Sequence, residues 1–599
     1  MKFHLIQAQN QIDEVEARIQ QEGEVIFDLE TTSLNTHAST TKIVGCGLGF
    51  NDYEAFYIPY TEETGPRILE IANNDTIAKI GHNIKYDARV INKYGGRISN
   101  IKFDTLLAHY CLYGDQTKHN LDDITLEEFG HVKIRTNEVI PRKSKGNPNP
   151  TMAQSPVSKV AVYCCEDIIY TYLIYKRLAE RLKQNKSAYN LYYNIELPLL
   201  PVLIDMECNG VVIDKTNIPI LETKIQEQID SYKSVIQTTA KRDVILTNPT
   251  DIGNLLFEEL KIQDKFKTPV SKTKTGKYRT NEDTLEIYKS DEVVHSILAV
   301  KKLNKLLKTY LSSFPTYISD YTGRLHTNFN QAIAVTGRLT SSEPNLQNQP
   351  ARDALGKEIR TLYISRFPNG KILSADYSQA ELRILAHMAN EPVLIENYLK
   401  GGDAHLAVAS KIYDRSEDKI SKEERTYIKT INFGMIYGMG PNKLSMELNI
   451  SKNDAKDLMN RYLGSMKGVK KFIQDSENEL RANGFTETFF GRRRYIPKIY
   501  SNDKLDVWAA AREGTNHKVQ GTNADMIKLS MIKIQPELGI QNLKSLLILQ
   551  VHDELVLDTY PTEEDILAKL ITSKMQEVVS FKVPIVVEAK FGTNWATAH

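Results

Sequence analysis

Residues 371–390 read KILSADYSQAELRILAHMAN and change their hydrophobic period in the middle. Lys371 to Ala375 is an apolar-leaning run that predicts a short buried strand ending at Asp376. From Ser378 onward the apolar residues recur at the spacing of one helix face. A strand that delivers a carboxylate to a helix start can hold a metal ligand on a rigid scaffold. A capping aspartate at an ordinary strand–helix corner explains the same pattern equally well.

Length and composition indicate an ordinary globular protein. The chain has 599 residues, enough for three or four domains, with 41% hydrophobic and 25% charged residues. There are 76 Lys and Arg against 75 Asp and Glu, so only local basic patches could indicate nucleic acid. The five cysteines show no CxxC spacing, which argues against a zinc site or a disulfide framework and suits a reducing compartment. We expect neither secretion nor a membrane span, because no long apolar segment occurs.

Three segments in the first third carry acidic residues. The sequence EVIFDLE predicts a strand with Asp28 and Glu30 on the same face. Asp87 begins a predicted helix, and Tyr163 and Asp167 lie four apart on another. Two acids on one strand face repel each other unless a cation lies between them, and carboxylate oxygens are typical ligands of divalent metals. Each segment taken singly is better explained by a solvated surface.

The middle of the chain is helical and basic. Amphipathic patterns predict long helices over 220–241 and 293–313, with a loop rich in lysine and arginine between them. Basic residues on a loop and one helix face suit phosphate contacts that carry no sequence information. A solvated basic surface is the alternative.

A predicted helix in the last half carries charged and aromatic residues on one stripe. Arg425, Lys429, Phe433 and Tyr437 each fall four residues apart. Two cations followed by two aromatic rings could bind a triphosphate at one end and a base or sugar at the other. An ordinary amphipathic helix would place aliphatic residues on that stripe, so the pattern favours function.

Acidic residues also interrupt an apolar hairpin predicted over 546–557, LLILQVHDELVL. His552, Asp553 and Glu554 lie near its tip. Burying adjacent acids is costly without a compensating cation. With Asp376 across from Asp553, two divalent ions would offset that cost and support nucleotidyl transfer.

Two polar segments suit contacts with DNA. The first segment, residues 336–350, reads TGRLTSSEPNLQNQP and is rich in turn residues. The second is a predicted helix that runs into the QGT sequence at residues 520–522. Their amide and guanidinium side chains can donate to groove acceptors and phosphates. The side chains concerned are Arg338, Asn345 and Gln347 in the first segment and Arg512, Asn516 and Gln520 in the helix.

The motifs SADYSQAELR, RxxxKxxNFGxxYG, QGT and QVHDELV, in this order and after TGRL, resemble the polymerase half of family A DNA polymerases. The acidic segments of the first third resemble the motifs of DEDD-type 3′–5′ exonucleases in their tyrosine-containing form. The resemblance covers essentially the whole chain and implies an α/β and α+β multidomain fold, an RNase H-like exonuclease followed by a right-hand polymerase. It gives no counterpart to the N-terminal 5′ nuclease domain of full-length bacterial enzymes. The implied domains are an exonuclease over 1–190 and a polymerase over 191–599, with the thumb at about 205–315, the palm at about 316–400 and 500–599, and the fingers at about 401–499.

For the exonuclease, the resemblance implies two metal ions held by four acids and a tyrosine that orients the attacking water. The acids are Asp28, Glu30, Asp87 and Asp167, and the tyrosine is Tyr163. All four acids are present, so we predict an active 3′–5′ exonuclease.

For polymerisation, the resemblance implies two Mg²⁺ ions, for which Mn²⁺ could substitute. Asp376, Asp553 and the Tyr377 carbonyl would bind them. Glu554 would act as an outer acid, and Lys429 would protonate the leaving pyrophosphate.

The resemblance also implies contacts with both substrates. Glu381 would exclude a ribose 2′-OH and so select deoxynucleotides. The residues implied to bind the dNTP are Gln379, Glu381, His405, Arg425, Lys429, Phe433 and Tyr437. The residues implied to contact DNA are Arg338, Asn345, Gln347, Arg512, Asn516, Gln520 and His552.

One position departs from the family pattern. Ala380 stands beside Glu381 where the family usually has Ile or Leu. Removing about three methylenes next to the nucleotide pocket predicts a looser pocket that tolerates altered nucleotides, including a modified viral base. Compensation by a larger neighbour explains the same residue.

We therefore expect a template-directed DNA polymerase with 3′–5′ proofreading. It would bind primer–template DNA and dNTPs as a monomer, away from membranes, in a bacterial or host cytoplasm or in an organelle matrix. Two alternatives are an exonuclease with an inactive polymerase half and a non-catalytic DNA-binding scaffold. The presence of Asp376, Asp553, Lys429 and Arg425 argues against both. The sequence does not predict replisome partners or the source.

Overall fold

The N-terminal part of the protein is built on a mixed sheet. The computed structural model describes residues 1–114, 117–144, 147–350 and 354–599. The strands of this sheet are β1 (Lys2–Leu5), β2 (Glu24–Thr31), β3 (Ile43–Gly49), β4 (Glu54–Pro59), β5 (Ala78–Gly81) and β6 (Ile101–Asp104). Their order is β1-β4-β3-β2-β5-β6, with β3 antiparallel to both of its neighbours and the other pairs parallel. The central strand β2 therefore lies between β3 and β5, where its apolar residues are buried.

Helices surround this sheet, and the longest one packs along it. The helices are α1 (Gln9–Glu22), α2 (Thr64–Asn73), α3 (Lys85–Lys93), α4 (Thr105–Tyr113), α5 (Leu121–Phe129), α6 (Thr136–Val139), α7 (Val157–Gln184), α8 (Lys186–Leu191) and α9 (Leu197–Asn209). Helix α7 buries Cys164, Cys165 and Ile168 in this core. Both adjacent thiols are free and buried, and Cys164 Sγ also lies 3.8 Å from Asp28 Oδ2. Helix α9 leads into a second, larger hydrophobic core.

The middle segment packs two long helices against each other. Its elements are β7 (Val212–Ile213), α10 (Ile218–Ala240), α11 (Pro249–Asn254), α12 (Ile262–Phe266), α13 (Glu282–Glu286), α14 (Glu292–Leu306) and α15 (Phe314–Tyr317). Ile225, Ile229 and Ile236 follow one face of α10 and are buried with Ile297 and Val300 of α14. The helices predicted over 220–241 and 293–313 are therefore confirmed. The second ends as a regular α-helix at residue 306 and continues as a wider turn over 307–311.

The last half combines an antiparallel sheet with a group of helices. The strands of the last half are β8 (Asn328–Asn330), β9 (Thr340–Ser342), β10 (Tyr363–Ile364), β11 (Lys371–Tyr377), β12 (Phe485–Glu487), β13 (Arg493–Tyr495), β14 (Leu546–Val551), β15 (Glu554–Thr559) and β16 (Val587–Gly592). Its helices are α16 (Ala354–Arg360), α17 (Ala380–Met388), α18 (Pro392–Leu399), α19 (Ala404–Tyr413), α20 (Lys422–Ile436), α21 (Pro441–Leu448), α22 (Lys452–Ser465), α23 (Lys467–Asn483), α24 (Lys504–Ile540), α25 (Glu564–Gln576) and α26 (Trp595–Ala598). The main sheet has the order β14-β15-β11-β16. No helix of the described residues is long and apolar enough to cross a membrane.

The corner predicted around Asp376 is confirmed with shifted boundaries. Strand β11 continues through Asp376 to Tyr377, and helix α17 begins at Ala380 rather than at residue 378. Gln379 lies between them with a φ of 55°, in the left-handed region. This left-handed residue makes the sharp turn from the strand into the helix. Asp376 is therefore held by strand pairing on both sides, opposite Glu554 of β15 and Glu588 of β16.

Candidate active sites

The four acids of the first third border one cavity. Asp28 and Glu30 come from β2, Asp87 from the first turn of α3, and Asp167 from α7. The cavity has a volume of about 840 Å³ and is bordered by all four. The Leu29 N–H donates to Asp87 Oδ1 at 3.0 Å, which ties α3 to β2. The four acids span 139 positions of the sequence, from Asp28 to Asp167, and the fold brings them together.

Burial makes ionisation of these acids unfavourable. Burial, together with the charge of Asp167, raises the pKa of Asp28 to about 7. Burial also raises the pKa values of Glu30 and Asp87 well above their ordinary range, with Asp28 adding to both. Oxygen atoms of Asp28 and Glu30 lie within 4.8 Å of each other and of Cys164 Sγ. Closely spaced carboxylates that resist ionisation are what a bound divalent cation would stabilise in charged form.

Lys133 is a cation at this site that the sequence did not reveal. Its ammonium donates to Asp167 and, at 3.2 Å, to Asp122 Oδ1, and the residue is 4% exposed. Burial raises the pKa of Asp167 to about 6 even though Lys133 opposes the shift. Lys133 precedes α6 in a stretch without a clear period, so only its position in the fold identifies it.

Tyr163 borders the same cavity. Its hydroxyl lies 3.0 Å from Thr136 Oγ1, and its ring lies 5.6 Å from the Lys133 ammonium. Burial, followed by the charges of Asp167 and Glu30, raises the pKa of Tyr163, so its hydroxyl stays protonated and can donate a hydrogen bond.

The second acidic site lies where β11 meets the β14–β15 hairpin. The Tyr377 N–H donates to the Asp553 carbonyl at 3.2 Å, which fixes the hairpin tip beside Asp376. His552 has a φ of 55° at this tip. Burial, together with the charge of Asp553, raises the pKa of Asp376 to about 7, and burial also raises that of Asp553. The acids predicted to lie across from each other are thus adjacent, and their charges repel.

Glu554 differs from these two acids because its oxygens already have partners. Its Oε1 accepts from Ser374 Oγ at 2.6 Å and from Trp595 Nε1 at 2.7 Å. His599 Nδ1 lies 3.7 Å from Oε2. Burial opposes ionisation, but the nearby His599 and the hydrogen bonds from Ser374 and Trp595 hold the pKa of Glu554 below its usual range. Glu554 therefore ties the end of the chain to the acidic site.

The predicted nucleotide-binding stripe follows α20, and its members differ in their surroundings. Arg425 donates through Nε and Nη2 to Asp403 Oδ2 at 2.8 and 2.6 Å. Lys429 is exposed, and no salt bridge to it occurs within the described ranges. His405 is 2% exposed beside the Phe433 ring, and burial lowers its pKa to about 4, so it is uncharged at neutral pH.

Glu381 contacts two other residues that were predicted to bind substrates, Arg338 and Tyr437. Its Oε1 lies 2.7 Å from Arg338 Nη2, and its Oε2 accepts from the Tyr437 hydroxyl at 2.8 Å. Burial raises the pKa of Glu381, while Arg338 acts in the opposite direction. Gln379 Oε1 accepts from the Tyr398 hydroxyl at 2.8 Å. Ala380 is 2% exposed, so its methyl group packs against protein.

The predicted DNA contacts fall into two groups. Arg338, Gln347 and His552 border one narrow crevice with Gln550, whose Oε1 accepts from Gln347 Nε2 at 2.9 Å. Gln550 was not predicted to contact DNA, although it lies inside the QVHDELV motif. Asn345 Oδ1 accepts from the Gln347 N–H at 2.9 Å and so shapes the loop that leads there.

The helix α24 carries the second group. Arg512 donates to the Gly438 carbonyl at 2.9 Å, and its guanidinium lies 3.9 Å from the Trp508 ring centroid. Gly438 has a φ of 63°, and a Cβ there would lie 2.7 Å from Arg512 Cβ, so a side chain at 438 would displace Arg512. Asn516 Oδ1 is buried without a hydrogen-bond partner among the described residues, and Gln520 is buried.

The fold and the two acidic sites define a class of protein that combines an exonuclease domain with a polymerase domain. Residues 3–183 match the model described as 3′-5′ exonuclease, and residues 215–597 match that of DNA polymerase family A. The chain belongs to DNA polymerase family A. The predicted fold class is confirmed, and enzymes of this family depend on metal ions.

Similar proteins occur in several bacteria. DNA polymerase I of Pseudomonas aeruginosa is 33% identical over 97% of this chain, and that of Borreliella burgdorferi is 32% identical over 100%. The chain spans 64% and 65% of the lengths of these relatives. A solved structure described as the POL domain of Pol1 from M. smegmatis in complex with DNA primer-template and dNTP has a TM-score of 0.87 and 27% identity, covering 100% of both chains.

Proposed function

We propose that the protein is a DNA-directed DNA polymerase with 3′–5′ exonuclease proofreading. The observation that carries this proposal is the presence of two separate buried acidic sites in one chain. Asp376 and Asp553 form one, and the acids around Asp28 border the other. Membership in family A and the likeness to a polymerase bound to primer-template and dNTP support the same substrates here.

We assign the exonuclease domain to residues 1–190 and the polymerase domain to 191–599. The family matches over 3–183 and 215–597 support this division, as do two hydrophobic cores that meet at α9. Within the polymerase domain, we assign the thumb to about 205–315, the fingers to about 401–499 and the palm to the remaining parts from about 316. We expect the 68.1 kDa chain to act as a monomer.

The residues at both acidic sites fit divalent metal ions. Carboxylate and carbonyl oxygens are the ligands that Mg²⁺ prefers, and Mn²⁺ can replace it. A bound cation would favour the ionised form of acids that burial and mutual repulsion otherwise keep protonated. We assign one pair of ions to Asp376, Asp553 and the Tyr377 carbonyl, and a second pair to Asp28, Glu30, Asp87 and Asp167. When bound, such ions activate the attacking oxygen and stabilise the charge of the leaving group.

The chain's own residues would bind and orient the nucleotide. Arg425 would exchange Asp403 for the triphosphate, since the pair is about one-third exposed on both sides and can open. Lys429, which is exposed on the same helix face, would donate a proton to the departing pyrophosphate. Uncharged His405 could donate a hydrogen bond to the same phosphates, and Phe433 could pack against the sugar.

At the exonuclease site, the Tyr163 hydroxyl would orient the attacking water. Its hydrogen bond with Thr136 is partly exposed and could be exchanged for one to water. Lys133 would hold Asp167 in place through the hydrogen bond that joins them.

Two assays with Mg²⁺ test the proposal: extension of a primer on a template, and release of 3′ nucleotides from single-stranded DNA. We expect both activities. Degradation without extension would support an exonuclease with an inactive polymerase half, and DNA binding without either reaction would support a scaffold.

A further inference from the structure

The cavity that holds the exonuclease acids is completed by the polymerase half of the chain. Besides the acids, it is bordered by Asn330, the last residue of β8, and by Gln331, Ala332 and Ile333, which follow it. These four residues, here called the shared wall, lie more than 160 positions after Asp167 in the sequence. None of the sequence motifs that predict the two acidic sites includes them.

The shared wall is anchored at both ends and in the middle. Before it, the Phe329 N–H donates to Glu207 Oε1 at 2.7 Å. Within it, Gln331 is 4% exposed and donates to Glu196 Oε2 at 2.8 Å. After it, the Ala334 carbonyl accepts from the Tyr110 hydroxyl at 2.7 Å. The backbone around Ile333 therefore has little freedom to turn that side chain inward.

Ile333 is nevertheless 64% exposed. Leu34, from the loop after β2, borders the same cavity and is 85% exposed. Single exposed apolar residues are common on protein surfaces, but two around one cavity indicate a ligand with apolar faces. The bases of an unpaired strand have such faces, and isoleucine and leucine side chains pack between bases in other DNA complexes.

We propose that Ile333 contacts the bases of the single-stranded 3′ end that enters the exonuclease cavity. The polymerase half then supplies part of the binding site for the proofreading substrate. This inference rests on the proposed exonuclease function for the identity of the ligand. It adds a binding residue and assigns Ile333 no part in the chemistry.

Binding and hydrolysis are measured separately to test this contact. The probe for binding is a short single-stranded oligonucleotide with 2-aminopurine at its 3′ end, titrated in EDTA so that no reaction occurs. Hydrolysis of the same strand is then followed with Mg²⁺. The variants are Ile333→Ala and Ile333→Leu, with Ile245→Ala as the matched control. Ile245 is 60% exposed and does not border the cavity.

Ile333→Ala is expected to raise Kd and KM about 5- to 10-fold and to change kcat less than about twofold. The reason is that a contact made equally in the ground state and the transition state affects KM and leaves kcat unchanged. Ile333→Leu should restore most of the affinity, and Ile245→Ala should match the wild type. Equal Kd values for Ile333→Ala and Ile245→Ala would overturn the inference. A wild type that binds the strand with this dependence on Ile333 but does not hydrolyse it would sustain the inference and refute the proposed exonuclease function.

Discussion

The Arg338 guanidinium lies 2.7 Å from Glu381 Oε1. Arg338 was predicted to contact duplex DNA and Glu381 to select the sugar of the incoming nucleotide, so the structure pairs two residues with separate expected partners. The Tyr437 hydroxyl binds the other oxygen of Glu381 at 2.8 Å. Glu381 is thus held in one orientation from two sides, and binding of primer-template would compete for Arg338.

Tyr437→Phe should reduce discrimination against ribonucleotides. It removes one of the two hydrogen bonds that orient Glu381, and a hydrogen bond to a charged group contributes about 1.5–3 kcal/mol, or roughly tenfold or more in selectivity. The measurement is the ratio of kcat/KM for a dNTP to that for the matching ribonucleotide. Tyr427→Phe is the control, because its hydroxyl binds Glu423 on the same helix at 2.7 Å in an exposed position. If both variants keep the wild-type ratio, Tyr437 does not orient Glu381 for selection.

Glu207→Gln should destabilise the protein and impair the exonuclease. Lys85 and Arg89 of α3 both pair with Glu207, whose side chain is fully buried. Removing its charge leaves two buried cations without a counter-ion, at a cost of about 3–5 kcal/mol. Because α3 also carries Asp87, exonuclease activity should fall more than polymerase activity.

Urea unfolding of the Glu207→Gln variant measures the loss of stability. The control is Glu358→Gln, which breaks an exposed pair with Lys224 and should cost less than about 1 kcal/mol. Equal unfolding free energies for the two variants would show that the buried pair does not hold α3 in place.

In EDTA, stability should fall as the pH rises from about 6.5 to 8. Asp28 and Asp376 have pKa values raised to about 7 in the folded protein. The folded state therefore binds more protons than the unfolded chain, whose aspartates have a pKa near 3.9. The contribution of each such group to the free energy of unfolding falls by about 1 kcal/mol per pH unit near pH 6.5 and by less above pH 7, where the folded group is ionised. Buried histidines such as His82, whose pKa burial lowers to about 3, act in the opposite direction only below about pH 6.5.

Added Mg²⁺ should stabilise the protein more at pH 8 than at pH 6.5, because ionised carboxylates bind it. The comparison is between wild type and a variant with Asp28→Asn and Asp376→Asn, which should show a smaller decline in EDTA. Unfolding free energies that increase from pH 6.5 to 8 in metal-free wild type would contradict the proposed ionisation of these acids.

Ala380→Ile tests whether the departure from the family pattern alters nucleotide choice. Ala380 is 2% exposed, which supports compensation by neighbouring side chains over an open pocket. We expect the added methylenes to cost about 1–3 kcal/mol in unfolding free energy by overpacking. The ratio of modified to normal dNTP incorporation should change less than twofold. A large fall in that ratio without a loss of stability would instead support the looser pocket.

The elements that carry the motifs could be predicted because their signals are local. The change of period after Asp376, the four-residue spacing in α20 and the apolar run before His552 each predict their element from neighbouring residues alone. The pairing of Asp376 with the hairpin tip also followed, because buried acids require a shared cation.

Contacts between distant segments could not be predicted. Lys133 reaches Asp167 across 34 positions and Lys85 reaches Glu207 across 122, and such pairs leave no periodic pattern. The left-handed turn at Gln379 was equally hidden, because glutamine is not a residue that favours that conformation. The position of the shared wall could not be predicted either, because only the fold brings these residues to the exonuclease cavity.

The central claim is that one chain holds two independent catalytic sites. Primer extension and single-strand 3′ degradation, measured on Asp376→Ala and on the Asp28→Ala, Glu30→Ala double variant, test it most directly. We predict that the first variant loses extension and keeps degradation, and that the double variant does the reverse. Loss of both activities in either variant, with the protein still folded, would contradict the claim.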